Sequence, residues 1–301
     1  MTEFIAHVRR LLPLAALAAA LAGCGRPAQQ VAEPSDGLMR YPLAGEVVSA
    51  DTARNVLLVF HEAIPDLKMP AMTMEFTVSP GDAAIAQPGS RIRGTLVQVK
   101  EGEFRLEKIW PDDLVSKSRI EAGLKDLQQD TAIRGKGAYR EVGEFMPGFT
   151  LYDQDGKAVD SSSFRGKRVL LNFIYTRCPV ATMCPAATLK MMATQKAARE
   201  AGITDLQLVS ITFDPEFDTP GVLRTYATDR GIDTANFSFI TGPLPAVQNL
   251  LKQFGIDAIF EGALIKHNLS TVLFDAEGRI IHRTEGSQWD PSDFLNKLKR
   301  G

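Results

Sequence analysis

One stretch, from Leu170 to Pro185, constrains the fold of this chain more than any other. It begins with a largely apolar run that is typical of a buried strand, and it ends with Cys184 and a proline, where a long helix-forming run begins. Five residues separate Cys178 from Cys184. A strand that leads through such a loop into a helix places both sulfurs at the carboxyl edge of a sheet. There we expect the helix amino end to favour thiolate over thiol.

Two thiolates in such a loop can exchange disulfides or bind a soft metal ion. The alternative is a passive disulfide between Cys178 and Cys184. Closing so short a loop should stabilise the fold by only roughly 2 kcal/mol in the chain-entropy model. We therefore favour a chemical role for the pair.

The remaining cysteine of the three, Cys24, ends a segment that is typical of a secretory signal. Arg9 and Arg10 form its basic flank, and Leu11–Ala22 is an apolar core that is too short to span a bilayer comfortably. The sequence thus predicts export to an oxidising compartment, where thiols need a reductant or a metal.

The four residues that end at Cys24, LAGC, resemble a bacterial lipobox. The resemblance implies cleavage before Cys24 and acylation of its sulfur. It predicts a lipid-anchored protein of the bacterial cell envelope that faces the periplasm. The alternative is a plain signal peptide with an incidental cysteine.

Length and composition indicate two modest domains in a chain of 301 residues with 45% hydrophobic residues. The formal charge of −2 gives no indication of nucleic-acid binding, and we expect no such partner. The predicted division is a signal peptide at 1–23, a tether at 24–40, a first domain at 41–110, a linker at 111–141 and a second domain at 142–301.

Short β-like runs separated by turn signals fill the first domain. They are Gly45–Ser49, Val56–His61, Met72–Val78, Arg91–Lys100 and Glu103–Trp110. Five strands in so short a segment predict a small closed all-β barrel of the OB-like kind. The charged segment that follows has one helix-like run, Arg119–Gln129, and is either a linker or a packing arm.

In the second domain a β-hairpin around Asp155-Gly156 is followed by alternating strands and helices. The predicted order is a β-hairpin, then βαβα, β, α and ββα. This order predicts a thioredoxin-like α/β fold.

A group of soft donors lies in the barrel segment. Met72 and Met74 point to the same face of a strand, with His61 and Met69 nearby in sequence. Two thioethers beside an imidazole suit Cu(I) or Ag(I). The alternative is that the methionines fill the barrel core.

The barrel segment resembles the CusF-like periplasmic copper-binding domains, which bind Cu(I) through a histidine and two methionines under a tryptophan cap. The resemblance implies that His61, Met72 and Met74 are the ligands. Met69 stands where the tryptophan would be, so a third thioether is possible there.

Several stretches of the second domain resemble the Sco/SenC family of thioredoxin-like copper chaperones. These are Phe164-Arg165-Gly166-Lys167, Tyr175-Thr176-Arg177-Cys178-Pro179, Thr212-Phe213-Asp214-Pro215, Asp218-Thr219-Pro220 and His267 shortly before Ser270. The resemblance implies a copper site, for Cu(I) and/or Cu(II), made by Cys178, Cys184 and His267. It also implies a copper-receiving partner such as a cytochrome c oxidase subunit. The loop between the cysteines is two residues longer than is usual in the family and has no acidic residue.

The sequence leaves the roles of two residues open. His267 lies 83 residues after Cys184, so only the fold could bring them together; the alternative is a surface histidine after the flexible stretch Gly255–Lys266. Asp214 is either a group that supports the site from behind or the cap of its own loop.

We therefore hypothesise a lipid-anchored copper metallochaperone with two soft sites. The rival is an enzyme, a periplasmic thiol–disulfide reductase in which Cys178 and Cys184 form the redox dithiol. A peroxidase is a third interpretation, but the segment around the cysteines lacks a peroxidatic Thr-x-x-Cys pattern. The two leading roles are compatible with one another.

Overall fold

The computed structural model describes residues 36–261 and 264–299. The predicted signal segment, Cys24 and most of the predicted tether lie outside the described residues. Among the residues described, no helix is both long enough and apolar enough to cross a bilayer.

The amino-terminal half is a closed barrel. Its strands are β1 (Met39–Asp51), β2 (Val56–His61), β3 (Met72–Thr77), β4 (Arg91–Lys100) and β5 (Glu103–Pro111). They are joined in the order β1-β2-β3-β5-β4, and the β3–β5 pair that closes the barrel is parallel. The prediction of a five-stranded barrel is confirmed.

Alternating side chains fill the barrel, as the two-residue period of a strand requires. Val47, Leu57, Val59, Phe76 and Leu96 are all fully buried in its core. Two short elements were not predicted: a single 3₁₀ turn, Pro65–Leu67, between β2 and β3, and helix α1, Pro80–Ile85, after β3.

The charged segment after the barrel forms one long helix, α2 (Leu114–Arg134), which extends beyond the predicted run Arg119–Gln129 at both ends. The Asp113 carboxylate caps its first turn, and Gly135 ends it with a φ of 88°. Leu127 of α2 belongs to the hydrophobic core of the carboxy-terminal half, so the segment is a packing arm.

The carboxy-terminal half is a mixed sheet with helices around it. Its sheet strands are β6 (Thr150–Asp153), β7 (Ala158–Asp160), β8 (Arg168–Ile174), β9 (Leu206–Thr212), β10 (Phe237–Thr241), β13 (Ser270–Phe274) and β14 (Ile280–Glu285). Its helices are α3 (Cys184–Glu200), α4 (Pro220–Asp229), α5 (Leu244–Gln253) and α6 (Pro291–Leu298). A separate hairpin is made of β11 (Ala258–Glu261) and β12 (Leu264–His267).

The sheet has seven strands in the order β14-β13-β8-β9-β10-β6-β7, and β8, β9 and β10 are parallel. The prediction of a thioredoxin-like α/β fold is confirmed. β8 and β9 lie at the centre and are buried almost throughout, as expected for parallel strands that are covered on both faces. The cysteine loop leaves the carboxyl end of this central strand β8.

The two halves touch where α1 packs against α4. The Gly81 N–H donates to Thr225 Oγ1 at 3.0 Å. A Cβ at Gly81 would lie 1.9 Å from the carbonyl oxygen of Gly221, and a Cβ at Gly221 would lie 2.0 Å from Asp82 Oδ1. The close approach of these helices therefore requires glycine at both positions.

Candidate metal centres

The cysteine loop connects β8 to α3, as predicted. Cys184 is the first residue of α3 and is fully buried, whereas Cys178 lies in the loop and is 9% exposed. Pro185 occupies the second helical position, where its missing N–H costs nothing. Both cysteines are free thiols.

His267 completes a cluster with the two cysteines. One ligand atom of each residue lies within 4.8 Å of the others, so the cluster could hold a metal ion. His267 is the last residue of strand β12. The sequence analysis had treated the stretch before His267 as flexible. Its ring packs between two aromatic rings, with centroids 4.4 Å from Phe213 and 5.7 Å from Tyr175.

The His267 ring is prepared to act as a metal ligand. Its Nδ1 lies 3.0 Å from the Asn268 carbonyl oxygen, which can only accept, so Nδ1 carries the proton and Nε2 keeps its lone pair. Burial lowers the pKa of His267, so the imidazole stays neutral more readily than a solvated histidine.

The Cys184 thiol has a raised pKa, because its burial penalises the charged thiolate. The Tyr175 backbone N–H points to the same sulfur and acts in the opposite direction, but burial is the larger effect. The expectation that the helix amino end favours the thiolate is therefore wrong for Cys184. Coordination to a metal ion deprotonates a thiol outright, so this environment suits a metal ligand better than a free nucleophile.

Two aspartates that follow β9 form contacts with the cysteine loop. Asp214 forms an ion pair with Arg177, the residue before Cys178, at 2.6 Å. Asp218 is fully buried and accepts hydrogen bonds from the backbone and hydroxyl of Thr176 and from the Thr212 hydroxyl. Asp214 therefore braces the loop, which agrees with the first of its two interpretations.

In the sequence, Asp218 is part of the Asp218-Thr219-Pro220 stretch of the family resemblance, which assigned it no role. Thr219 occupies the cap position of α4, and the Asp218 carboxylate reaches the cysteine loop instead. Burial raises the pKa of Asp218 to about 7. The sequence signals for this residue were its place in that stretch and its position just before a Thr-Pro helix start.

The barrel cluster is centred on His61, which is fully buried at the end of β2. Its Nδ1 lies 2.7 Å from the Glu62 carbonyl oxygen and therefore carries the proton. Its Nε2 is buried and has no hydrogen-bond partner among the residues that the structure describes. A buried nitrogen with a lone pair and no partner fits a metal ligand.

The structure pairs Met72 directly with His61 across β2 and β3, and Met74 pairs with Val59 on the same face. Met74 and Met69 are partly buried and pack against the barrel core, whereas Met72 is 42% exposed. Met69 is brought back beside Ile64 by a bridge at the 3₁₀ turn. Met69 and Met74 partly fill the barrel core, as the alternative interpretation expected, whereas Met72 does not. The ligand roles of these residues remain predictions.

Comparisons with known proteins match both halves of the chain. The family model described as SCO1/SenC matches residues 137–301, and the model of the copper binding periplasmic protein CusF matches residues 40–111. The chain is 30% identical over 156 residues to the SCO1 protein homolog of Bacillus subtilis, an overlap of 49% of this chain and 77% of that protein.

Solved structures also align with part of the chain. The SCO1/SenC family lipoprotein from Bacillus anthracis aligns with a TM-score of 0.48 and 28% identity, covering 54% of this chain and 98% of that one. Copper-bound ScoI of Arabidopsis thaliana aligns with a TM-score of 0.47 and 24% identity, covering 53% of this chain and 99% of that one.

The resemblances predicted from the sequence are confirmed, and so is the expected metal, copper, because the model that matches the barrel segment is that of a copper binding protein. The SCO1/SenC match alone spans more than half of the chain. The chain therefore belongs to the SCO1/SenC family, and a CusF-type copper-binding segment precedes its family domain.

Proposed function

We propose that this protein is a copper metallochaperone of the bacterial cell envelope with two sites in one chain. The barrel captures Cu(I), and the dithiol site delivers copper to a recipient such as a cytochrome c oxidase subunit. The observation that carries the proposal is the approach, within 4.8 Å, of ligand atoms from Cys178 and Cys184, which share one loop, and from His267, which ends a strand 83 residues later.

The donor atoms of each site suit its proposed role in capture or delivery of copper. His61, Met72, Met74 and Met69 supply only neutral nitrogen and thioether ligands, which favour Cu(I). Two thiolates also satisfy Cu(I), and the imidazole of the second site adds the nitrogen that Cu(II) prefers. The second site therefore suits either oxidation state.

We further propose the domain division predicted from the sequence, with a tether at 24–40, the barrel at 41–110, the linker at 111–141 and the family domain at 142–301. Acylation of Cys24 would hold the chain at the periplasmic face of a membrane. The lipobox-like sequence before Cys24 supports this location, as does the existence of a lipoprotein in the same family.

The rival function is a thiol–disulfide reductase, which is favoured by two free cysteines in one loop. An exchange reaction needs a resolving thiolate that can attack a mixed disulfide. Full burial of Cys184 and the raised pKa of its thiol oppose that step. Copper binding is therefore the better supported function.

Copper stoichiometry of the reduced full chain tests the choice. We expect wild type to bind two Cu(I) ions and the Cys178→Ser/Cys184→Ser variant to bind one. Equal stoichiometry in both proteins, together with rapid reduction of a model disulfide by wild type, would replace the chaperone with the enzyme. The Cys24→Ala variant serves as a control, since it removes the third cysteine but leaves both proposed sites intact.

A further inference from the structure

Asn268 directly follows His267 and lies at the base of the hairpin that β11 and β12 form. At this base Ala258 of β11 pairs with His267 of β12. Within the described part of the chain the two strands pair only with each other, so neither belongs to the seven-stranded sheet. An isolated two-stranded hairpin is marginally stable at best. The position of the His267 ring therefore depends on contacts outside the hydrogen-bond ladder of the hairpin.

The side-chain amide of Asn268 joins the two ends of this hairpin to the end of α5. Its Nδ2 donates to the Gly255 carbonyl oxygen at 2.7 Å, and its Oδ1 accepts from the Asp257 N–H at 2.8 Å. Gly255 and Asp257 lie between α5 and β11, whereas Asn268 follows β12. A carbonyl oxygen can only accept and an N–H can only donate, so one orientation of the amide satisfies both partners. Asn268 thus connects the chain that enters the hairpin to the chain that leaves it.

Gly255 is a firm anchor for these hydrogen bonds. It follows Phe254, which is fully buried and whose ring centroid lies 5.3 Å from that of Phe173 on β8. The Gly255 N–H donates to the Lys252 carbonyl oxygen at 3.1 Å, and its φ of 65° is one that glycine adopts readily. Asn268 therefore links the hairpin to the packing around β8, the strand from which the cysteine loop leaves.

The backbone of Asn268 acts on His267 directly. Its carbonyl oxygen lies 3.0 Å from Nδ1 of the ring and keeps the proton there. One residue therefore fixes both the end of the strand that carries the imidazole and the tautomer that leaves the Nε2 lone pair for a metal ion.

We propose that Asn268 is a positioning residue whose side-chain amide holds the His267 imidazole beside the two cysteines and thereby enables the site to bind Cu(II). Two thiolates satisfy Cu(I), whereas Cu(II) prefers an added nitrogen ligand. Loss of the amide should therefore weaken Cu(II) binding more than Cu(I) binding. The inference rests on the proposed copper site.

The experiment measures copper affinities of the full chain with and without the Asn268→Ala substitution, both in the Cys24→Ala background. Cys178 and Cys184 are then the only cysteines, so absorption from copper–thiolate bonds reports the dithiol site alone. Asn268 is exposed, so the substitution leaves no cavity in the core. We expect the Cu(II) affinity to fall about tenfold, because two hydrogen bonds are lost, and the Cu(I) affinity to change less than about twofold.

Asn249→Ala is the matched control. The Asn249 Nδ2 also donates to a backbone carbonyl oxygen, that of Pro245 at 2.8 Å, but both residues lie within α5. We expect neither copper affinity to change in this variant. An unchanged Cu(II) affinity in Asn268→Ala would overturn the inference, as would an equal fall in its Cu(I) affinity or an equal Cu(II) effect in Asn249→Ala.

NMR of the metal-free protein gives a second readout that does not depend on copper. In Asn268→Ala we expect the Asp257 amide to exchange about tenfold faster with solvent, because it loses its acceptor, and the share of His267 protonated at Nε2 to rise. Asn249→Ala should change neither. Unchanged Asp257 exchange in Asn268→Ala would refute the placement of the amide. If the protein without the Asn268 substitution gives no copper–thiolate absorption, the proposed function fails together with the copper role of Asn268, whereas the NMR result still decides its placement.

Discussion

Asp82 offers a quantitative test of the contact between the two halves. It is 4% exposed, and its Oδ2 accepts a hydrogen bond from Ser79 Oγ at 2.6 Å. Its Oδ1 faces the α carbon region of Gly221 and has no hydrogen-bond partner within the described part of the chain. Burial raises the pKa of Asp82 from 3.8 to about 6, and the Ser79 hydrogen bond opposes the shift.

The sign of the pH dependence follows from linkage. Between pH 3.8 and about 6 the folded protein holds a proton that the unfolded chain has released. The stabilisation that this bound proton gives the folded state is complete below the unfolded pKa of Asp82, and it is lost as the pH rises through the folded pKa. The difference between the unfolded pKa of 3.8 and the folded pKa of about 6 corresponds to about 3 kcal/mol of stability, of which about 2 kcal/mol is lost between pH 4.5 and pH 7.5.

The Asp82→Asn variant cannot titrate at this position. Its free energy of unfolding, measured by urea denaturation, should therefore gain about 2 kcal/mol relative to wild type between pH 4.5 and pH 7.5. Titration of all other groups cancels in this difference. Asp126→Asn, on the exposed surface of α2, controls for the removal of one charge. A difference between Asp82→Asn and wild type that stays constant with pH would refute the assigned burial of Asp82.

Three further outcomes are expected. Gly221→Ala should destabilise the protein by about 1–3 kcal/mol in urea denaturation, because the new Cβ meets Asp82. Gly148→Ala is the control and should not destabilise the protein, because its Cβ meets nothing within 4 Å. Equal stabilities of the two variants would argue against the observed helix contact. Met72→Leu/Met74→Leu should reduce Cu(I) binding from two ions to one, and full retention would exclude the barrel site. Cys24→Ala should move the protein from the membrane to the soluble fraction of cells, and a variant that stays in carbonate-washed membranes would exclude acylation as the anchor.

Strands of the barrel were predictable because their signal is local. β2 begins and ends at the predicted residues, Val56–His61, since alternation and flanking turns are both readable in the sequence. Helix α1 was not predictable, because Pro80-Gly81-Asp82 carries the signal of a turn. This six-residue helix is stabilised by its contact with α4, about 140 residues away in sequence.

At the candidate site, too, local features were predictable from the sequence, whereas features that depend on distant contacts were not. The spacing of Cys178 and Cys184 and the resemblance around His267 indicated the ligands, but not the hairpin that carries His267. Among the residues that the structure describes, β11 and β12 pair only with each other, so their position depends on packing against distant side chains such as Phe213. The raised pKa of the Cys184 thiol likewise follows from burial, which only the folded chain reveals.

The central claim is that Cys178, Cys184 and His267 bind one copper ion together. X-ray absorption of the Cu(II)-loaded full chain measures the donor atoms directly. We expect two sulfur ligands and at least one imidazole nitrogen, with the imidazole lost in His267→Ala and retained in His282→Ala, a histidine that packs on α6 instead. A spectrum of oxygen and nitrogen donors without sulfur, or one unchanged by His267→Ala, would contradict the account.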